Sequence, residues 1–173
     1  MQINIKNRTE LAELFKENGF KVGAEVGVLY GNYSETLCQK IPGLKMYCID
    51  PWSPDSPKYR EAYEIAKKRL SPYDVTLIRK TSMDAVGDFA NRSLDFVYID
   101  GAHDFDNAML DIIHWSLRVR KGGIVAGHDY SVRGNVGVIP AVNAYINGHV
   151  LSLYLTQDED EDITWWFNRK WNL

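Results

Sequence analysis

Two short polar stretches, Asp100-Gly101-Ala102-His103 and Gly127-His128-Asp129-Tyr130, hold the residues best suited to chemistry in this chain. Each follows an apolar run, Leu94–Ile99 and Gly123–Gly127, that reads as a strand. Adjacent parallel strands lie about 4.8 Å apart, so side chains beyond their carboxyl ends can meet. Asp100, His103, His128 and Asp129 would then share one corner. An unperturbed imidazole titrates near neutrality, so His103 or His128 can act as a general base toward a hydroxyl, with Asp129 beside it. Alternatively, Asp100, Asp129 and one histidine can hold a divalent cation that acidifies the hydroxyl. Plainer roles compete with both. Asp104 or Asp106 can cap a helix, His103 can be a first-turn surface residue, and His128 can simply bond a neighbouring loop.

A second constellation lies upstream in Ala24-Glu25-Val26-Gly27-Val28-Leu29-Tyr30-Gly31. A carboxylate and two glycines end an apolar run, Val22–Val28, where a strand should hand over to a helix. Glycine there lets the backbone turn sharply and approach a ligand closely. A dinucleotide fingerprint would need glycine where Leu29 stands, and a phosphate loop would need Gly-Lys-Ser or Gly-Lys-Thr where Gly31-Asn32-Tyr33 stands. Both are excluded. Another carboxylate, Asp50, closes the apolar run Lys45–Ile49 and lies 25 residues after Glu25. Its two oxygens can accept a pair of vicinal hydroxyls; its plainer role is a turn cap.

These residues need a scaffold of alternating elements. Asn7-Arg8-Thr9-Glu10 reads as a capped helix start, with Leu11, Leu14 and Phe15 as its apolar stripe and Gly19 as its end. Strands are expected at Val22–Val28, Lys45–Ile49, Asp74–Ile78, Leu94–Ile99 and Gly123–Gly127. Helices are expected near 31–40, 57–70, 83–90 and 105–119. Ser56 and Pro57 mark the start of the 57–70 helix. Such alternation builds a parallel sheet covered on both faces, in keeping with strands rich in Val and Ile. After a helix near Val138–Ile146, Val150–Thr156 and Ile163–Asn168 read as an antiparallel hairpin around the acidic Gln157–Asp162 turn.

At 173 residues the chain fits one domain, 1–173, large enough for a full core. It is 45% hydrophobic and 25% charged with net charge −3. Five acids sit together at Asp158–Asp162, so the remainder is nearly neutral and offers no footprint for nucleic acid or a membrane surface. Cys38 and Cys48 lie in apolar contexts without metal spacing and read as buried reduced thiols. Met1–Lys6 carries no apolar signal region, and no run approaches membrane-spanning length, so a cytoplasmic location is expected.

Five parallel strands followed by an antiparallel hairpin, with the Glu-x-Gly-x-x-x-Gly motif, resemble the class I S-adenosylmethionine-dependent methyltransferase superfamily. The resemblance covers essentially residues 20–170. Within it, Tyr98-Ile99-Asp100-Gly101-Ala102-His103-Asp104, Lys121-Gly122-Gly123, Gly127-His128-Asp129-Tyr130 and the closing Trp165-Trp166-Phe167 are similar to a small-molecule O-methyltransferase-like family. It implies an α/β, Rossmann-like fold: a seven-stranded, mostly parallel sheet with a C-terminal antiparallel hairpin and helices on both faces.

It also implies a cofactor site. Glu25, Gly27 and Gly31 would face the amino-acid part of S-adenosylmethionine, and Asp50 the ribose. Pro51 and Trp52 would flank the adenine, Ser82 and Met83 its edge, with Asp100 closing the site. Trp52 reads equally as a core or lid aromatic, and Ser82 as the cap of a helix beginning at Met83. Metal-dependent members of the superfamily place acidic ligands after the fourth and fifth strands. Here Asp100, His128 and Asp129 occupy those places, His128 standing where an acid would strengthen the match; Mg²⁺ prefers oxygen ligands, whereas such a mixed set also suits Mn²⁺, Fe²⁺ or Zn²⁺.

The expected activity is transfer of the methyl group to a hydroxyl of a small sugar or phenol-like acceptor. Trp52, Tyr59, Tyr63 and Tyr130 would form an aromatic wall, helped by the loop Ser131–Gly137 or a second subunit. The apolar, Trp-rich terminal hairpin is the expected face of a homodimer. A cofactor-binding module without catalysis, an N-methyltransferase and an aminopropyl transferase are the rival readings on the same sheet.

Overall fold

A computed structural model describes residues 4–131, 137–157 and 163–170. Their elements run α1 (Arg8–Glu17), β1 (Val22–Val26), α2 (Asn32–Lys40), β2 (Lys45–Ile49), α3 (Pro57–Leu70), β3 (Val75–Ile78) and α4 (Ser82–Val86). There follow β4 (Leu94–Ile99), α5 (Phe105–Ser116), β5 (Val119–Gly127), α6 (Val138–His149), β6 (Tyr154–Leu155) and β7 (Trp165–Asn168). The sheet order is β3-β2-β1-β4-β5-β7-β6. The first five strands are parallel, and β7 runs antiparallel to both β5 and β6. The parallel strands are those that the alternation of elements predicts, and the antiparallel hairpin at the end is the one that the resemblance implies. Strand order reverses between β1 and β4, so the crevice beyond their carboxyl ends is where a ligand belongs.

Two apolar layers sandwich the sheet. On one face, Leu11 and Phe15 of α1, Leu37 of α2, and Ala62, Ala66 and Leu70 of α3 pack on Met46, Phe96, Tyr98 and Trp166. On the other, α4, α5 and α6 pack on Ala24, Val26, Val97, Ile99 and Trp165 through Val86, Ile112, Trp115 and Val142. The period-2 alternation of strands sends Glu25 and Asp100 toward the α1–α3 side.

Several element boundaries differ from expectation. The ladder of β5 with β4 breaks register between Leu94 and Phe96, so Arg120–Gly123 bulge out and β5 begins at Val119 rather than Gly123. Helix α4 ends at Val86 instead of continuing to 90, because Gly87 is followed by a tighter turn in which Asp88 N–H donates to the Ala85 carbonyl. Ser56 holds the N-cap position of α3 without a side-chain cap bond; Pro57 fixes the first turn. The first hairpin strand shrinks to Tyr154–Leu155, since the segment before it turns back from α6 through Val150 at φ 52°. The acidic turn at Asp158–Asp162 lies outside the described residues, as does most of the Ser131–Gly137 loop. Trp165, Trp166 and Phe167 are each about 1% exposed, so the chain's own core uses the aromatic surface that suggested a dimer face. Cys38 and Cys48 are both buried and free. No helix among the described residues is long and apolar enough to cross a membrane.

Candidate functional site

A cavity of about 810 Å³ opens over the tips of β1, β2 and β4. Arg8 and Tyr33 stand at one end, Glu25, Gly27, Asp50 and Asp100 on its floor, and Ser82, Met83 and Asp111 at the far end. His103 also lines it.

The β1 tip is tied to both of its neighbours, β2 and β4, by hydrogen bonds. Gly27 N–H donates to the Ile49 carbonyl at 2.8 Å, and Asp100 N–H to the Val26 carbonyl at 2.7 Å. Asp50 organises both loops: Oδ2 accepts from Leu29 N–H at 2.9 Å and Oδ1 from Trp52 N–H at 2.8 Å. Each oxygen keeps a lone pair for a ligand hydroxyl. Gly27 takes φ 89°, and a Cβ there would stand 1.9 Å from the Asp100 carbonyl oxygen. The protein itself, rather than a ligand, fills that space. Gly31 caps α2 at φ 75° and faces Leu70, outside the cavity lining.

Glu25 is 2% exposed and accepts a short hydrogen bond from Ser34. Burial pushes its carboxyl up to about 8; the Ser34 hydrogen bond pulls the other way, and the charge of Asp100 adds to the rise. A ligand cation beside it would restore the carboxylate.

Trp52 corrects an expectation. It is fully buried, donates its indole N–H to the Leu29 carbonyl at 2.8 Å and packs edge-on against Tyr63. Supporting both loops from below, it does not line the cavity, whereas Pro51 does. Ser82 likewise is not the helix cap: Thr81 caps α4, accepting from Asp84 N–H. The Ser82 hydroxyl instead donates to Asp111 and accepts from the Trp115 indole at 2.8 Å. Of the aromatic wall, only Tyr59 lines the cavity, together with Tyr30; Tyr130 donates to Asn143 at 2.9 Å.

At the β4 and β5 tips the polar residues do meet. His103 Nε2 lies 3.0 Å from Asp129 Oδ2 and 3.9 Å from Asp100 Oδ1. Ligand atoms of Asp100, His103 and Asp129 fall within 4.8 Å of one another. Two carboxylates and an imidazole at this spacing fit a divalent cation, but with His103 in the place expected for His128. His128 sits behind the corner, its side chain 10% exposed, with Nδ1 3.2 Å from Asp129 Oδ2 and outside the main cavity lining. Burial opposes its charge, but the Asp129 hydrogen bond and the charges of Asp100 and Asp129 outweigh this, and its pKa rises. A ring packed behind the cavity wall suits a positioning role better than that of a base.

Two features escaped sequence reasoning. Arg8 lines the cavity from α1, its guanidinium 5.3 Å over the Tyr33 ring and beside Tyr98 and Asp100; nothing local distinguishes it from an ordinary first-turn residue. Asp111 lines the far end at 3% exposure. A signal existed for it, since Ala108, Asp111, Ile112 and Trp115 follow the spacing of a buried helix stripe, which an acid interrupts.

A family model described as "Methyltransferase domain" matches residues 24–130. The curated "Uncharacterized protein y4gI" of Sinorhizobium fredii is 25% identical over 118 residues, 63% of this chain but 13% of its own length, so this chain spans only a small part of that protein. Among solved structures, an O-methyltransferase from Bacillus cereus in complex with SAH superposes with TM-score 0.69 at 14% identity, covering 93% of this chain and 80% of that one. The N-methyltransferase NodS from Bradyrhizobium japonicum gives TM-score 0.65 at 15% identity, covering 95% of each chain.

Proposed function

Since the chain belongs to this methyltransferase-domain family, we propose that it moves the methyl group of S-adenosylmethionine to a hydroxyl of a small sugar or phenol-like acceptor, with His103 as the base. The observation that carries this reading is one continuous cavity lined by Glu25, Asp50 and His103, with Asp129 Oδ2 3.0 Å from the His103 ring. Glu25 receives the cofactor ammonium, with Arg8 at the same end for the carboxylate. Asp50 receives the ribose hydroxyls, and Pro51, Ser82 and Met83 border the adenine.

The transfer is an in-line displacement. The acceptor O–H gives its proton to His103, the oxygen bonds to the methyl carbon, the carbon–sulfur bond breaks, and the neutral thioether departs as S-adenosylhomocysteine. The leaving group needs no acid. Alignment of acceptor and methyl supplies roughly 7–11 kcal/mol of the barrier reduction. Asp129 orients the imidazole and stabilises it once protonated. His128 holds Asp129 from behind. A basic imidazole favours oxygen over nitrogen as the acceptor atom, because a hydroxyl must lose its proton as it attacks and a neutral amine need not.

A second reading rests on the convergence of Asp100, His103 and Asp129. A divalent cation bound there would acidify the acceptor hydroxyl, and these three residues would hold it. Product mass spectrometry over a panel of hydroxylated sugars and phenols tests the activity. With an acceptor in hand, His103→Ala is expected to lower kcat by ~10²–10⁴-fold while the S-adenosylhomocysteine Kd stays unchanged. Full turnover after exhaustive chelation supports the base, whereas loss restored by Mn²⁺ or Mg²⁺ supports the cation. An unchanged kcat in His103→Ala removes His103 from the reaction.

A further inference from the structure

Asp111 is a buried carboxylate for which the transfer reaction has no use. It projects from α5 toward the cavity end bordered by Ser82 and Met83. Oδ1 accepts from the Ser82 hydroxyl, which in turn accepts the Trp115 indole N–H at 2.8 Å. All the donors in this relay point toward the carboxylate, so Ser82 and Trp115 fix its position and reinforce it as an acceptor. Oδ2 looks toward Gly101, where a Cβ would approach to 3.4 Å; the missing side chain leaves the carboxylate room beside the cavity wall. Asp111 is 3% exposed and lines the cavity, so the ligand space is where a further donor can reach a carboxylate that is otherwise costly to bury. Burial raises its pKa to about 6, the Ser82 hydrogen bond only partly offsetting this and the charge of Asp104 adding to the rise.

We propose that Asp111 is the purine-selecting residue of the cofactor site, its free oxygen accepting the exocyclic 6-amino hydrogen of adenine. The inference rests on the cofactor reading above. A 6-amino purine presents a donor at this edge, whereas a 6-oxo purine presents an acceptor that a carboxylate repels. Aimed at position 6 rather than at the N1–H that a 6-oxo purine would offer, the residue favours adenine nucleosides over hypoxanthine ones. Ser82 and Trp115 are positioning residues that act through it.

Calorimetry with S-adenosylhomocysteine and its 6-oxo analogue, S-inosylhomocysteine, tests this directly. The wild-type protein should prefer the amino ligand by roughly 10–100-fold, the range of a hydrogen bond to a charged group. In Asp111→Asn the amide oxygen can keep the Ser82 bond and turn its NH₂ to the cavity. That variant should lose the preference and bind the 6-oxo ligand more tightly than wild type does. Asp111→Ser, which should bind both ligands alike, serves if the amide variant does not fold. Equal affinity of wild type for the two ligands overturns the proposal and leaves the cofactor reading standing, as does full discrimination retained in either variant. Binding of neither ligand by wild type removes both.

Discussion

The tips of β1 and β2 and the tips of β4 and β5 form one crevice but are built on opposite plans. At the first pair, polar groups are tied to the protein: Asp50 takes two backbone N–H groups and Glu25 takes Ser34. At the second, two carboxylates and two imidazoles face one another across 3.0 to 3.9 Å. Asp129 even adopts φ 57°, a conformation unfavourable for a side-chain-bearing residue. It is held there because β7 and β4 clamp the end of β5: the Trp165 indole donates to the His128 carbonyl at 3.1 Å, and His128 N–H donates to the Ile99 carbonyl at 3.0 Å. The first plan suits a ligand whose shape never changes. The second keeps charges poised where a proton or a cation must come and go.

Gly27→Ala probes this contrast most severely. The added Cβ meets the Asp100 carbonyl oxygen at 1.9 Å and the backbone must keep φ 89°. We expect a loss of about 2–5 kcal/mol in unfolding free energy, read by urea titration, together with loss of S-adenosylhomocysteine binding. A change below about 1 kcal/mol would mean that the β1 and β4 tips are not locked together as described.

Asp50→Ala comes next. Removing an acceptor shared by two loops and the ribose should weaken S-adenosylhomocysteine binding by ~10²-fold or more. At saturating cofactor, kcat should change little, the mirror image of His103→Ala. Equal losses in both parameters would show that the two pairs of tips act as one unit rather than two.

The same division governs what the sequence reveals. The strands and helices were legible because hydrophobic period and capping are local signals; the Glu25–Gly31 and Asp50 positions follow from a motif and a strand end. Tertiary choices were not legible. Whether Trp52 faces adenine or core depends on Leu29 offering its carbonyl across the fold. Both imidazoles reach Asp100 and Asp129, but which of them also faces the cavity is settled by packing: His103 lines it, whereas His128 lies behind with its side chain 10% exposed. Arg8 joins the site only through the packing of α1 beside α2, a contact without a local signature.

The smallest expected effect concerns protons rather than contacts. Burial sets the Glu25 carboxyl to about 8 in the ligand-free fold, against an ordinary value of 4.5. A raised acid favours folding while neutral, so its contribution is complete below pH 4.5 and is lost as pH climbs through about 8. An ammonium seated beside Glu25 reverses this by stabilising the carboxylate. Binding of S-adenosylhomocysteine near pH 7 should therefore expel close to one proton, and its Kd should fall by up to about tenfold per pH unit until the free carboxyl ionises near pH 8. Calorimetry in two buffers of different ionisation enthalpy counts that proton. Glu25→Gln should abolish the release while retaining weaker binding, since an amide oxygen can still accept from the ammonium. A binding constant flat from pH 6 to 8, with no proton exchanged, would place the ammonium elsewhere. The tie between Glu25 and Ser34 would then serve the fold alone, and the contrast between the two pairs of strand tips would lose its chemical half.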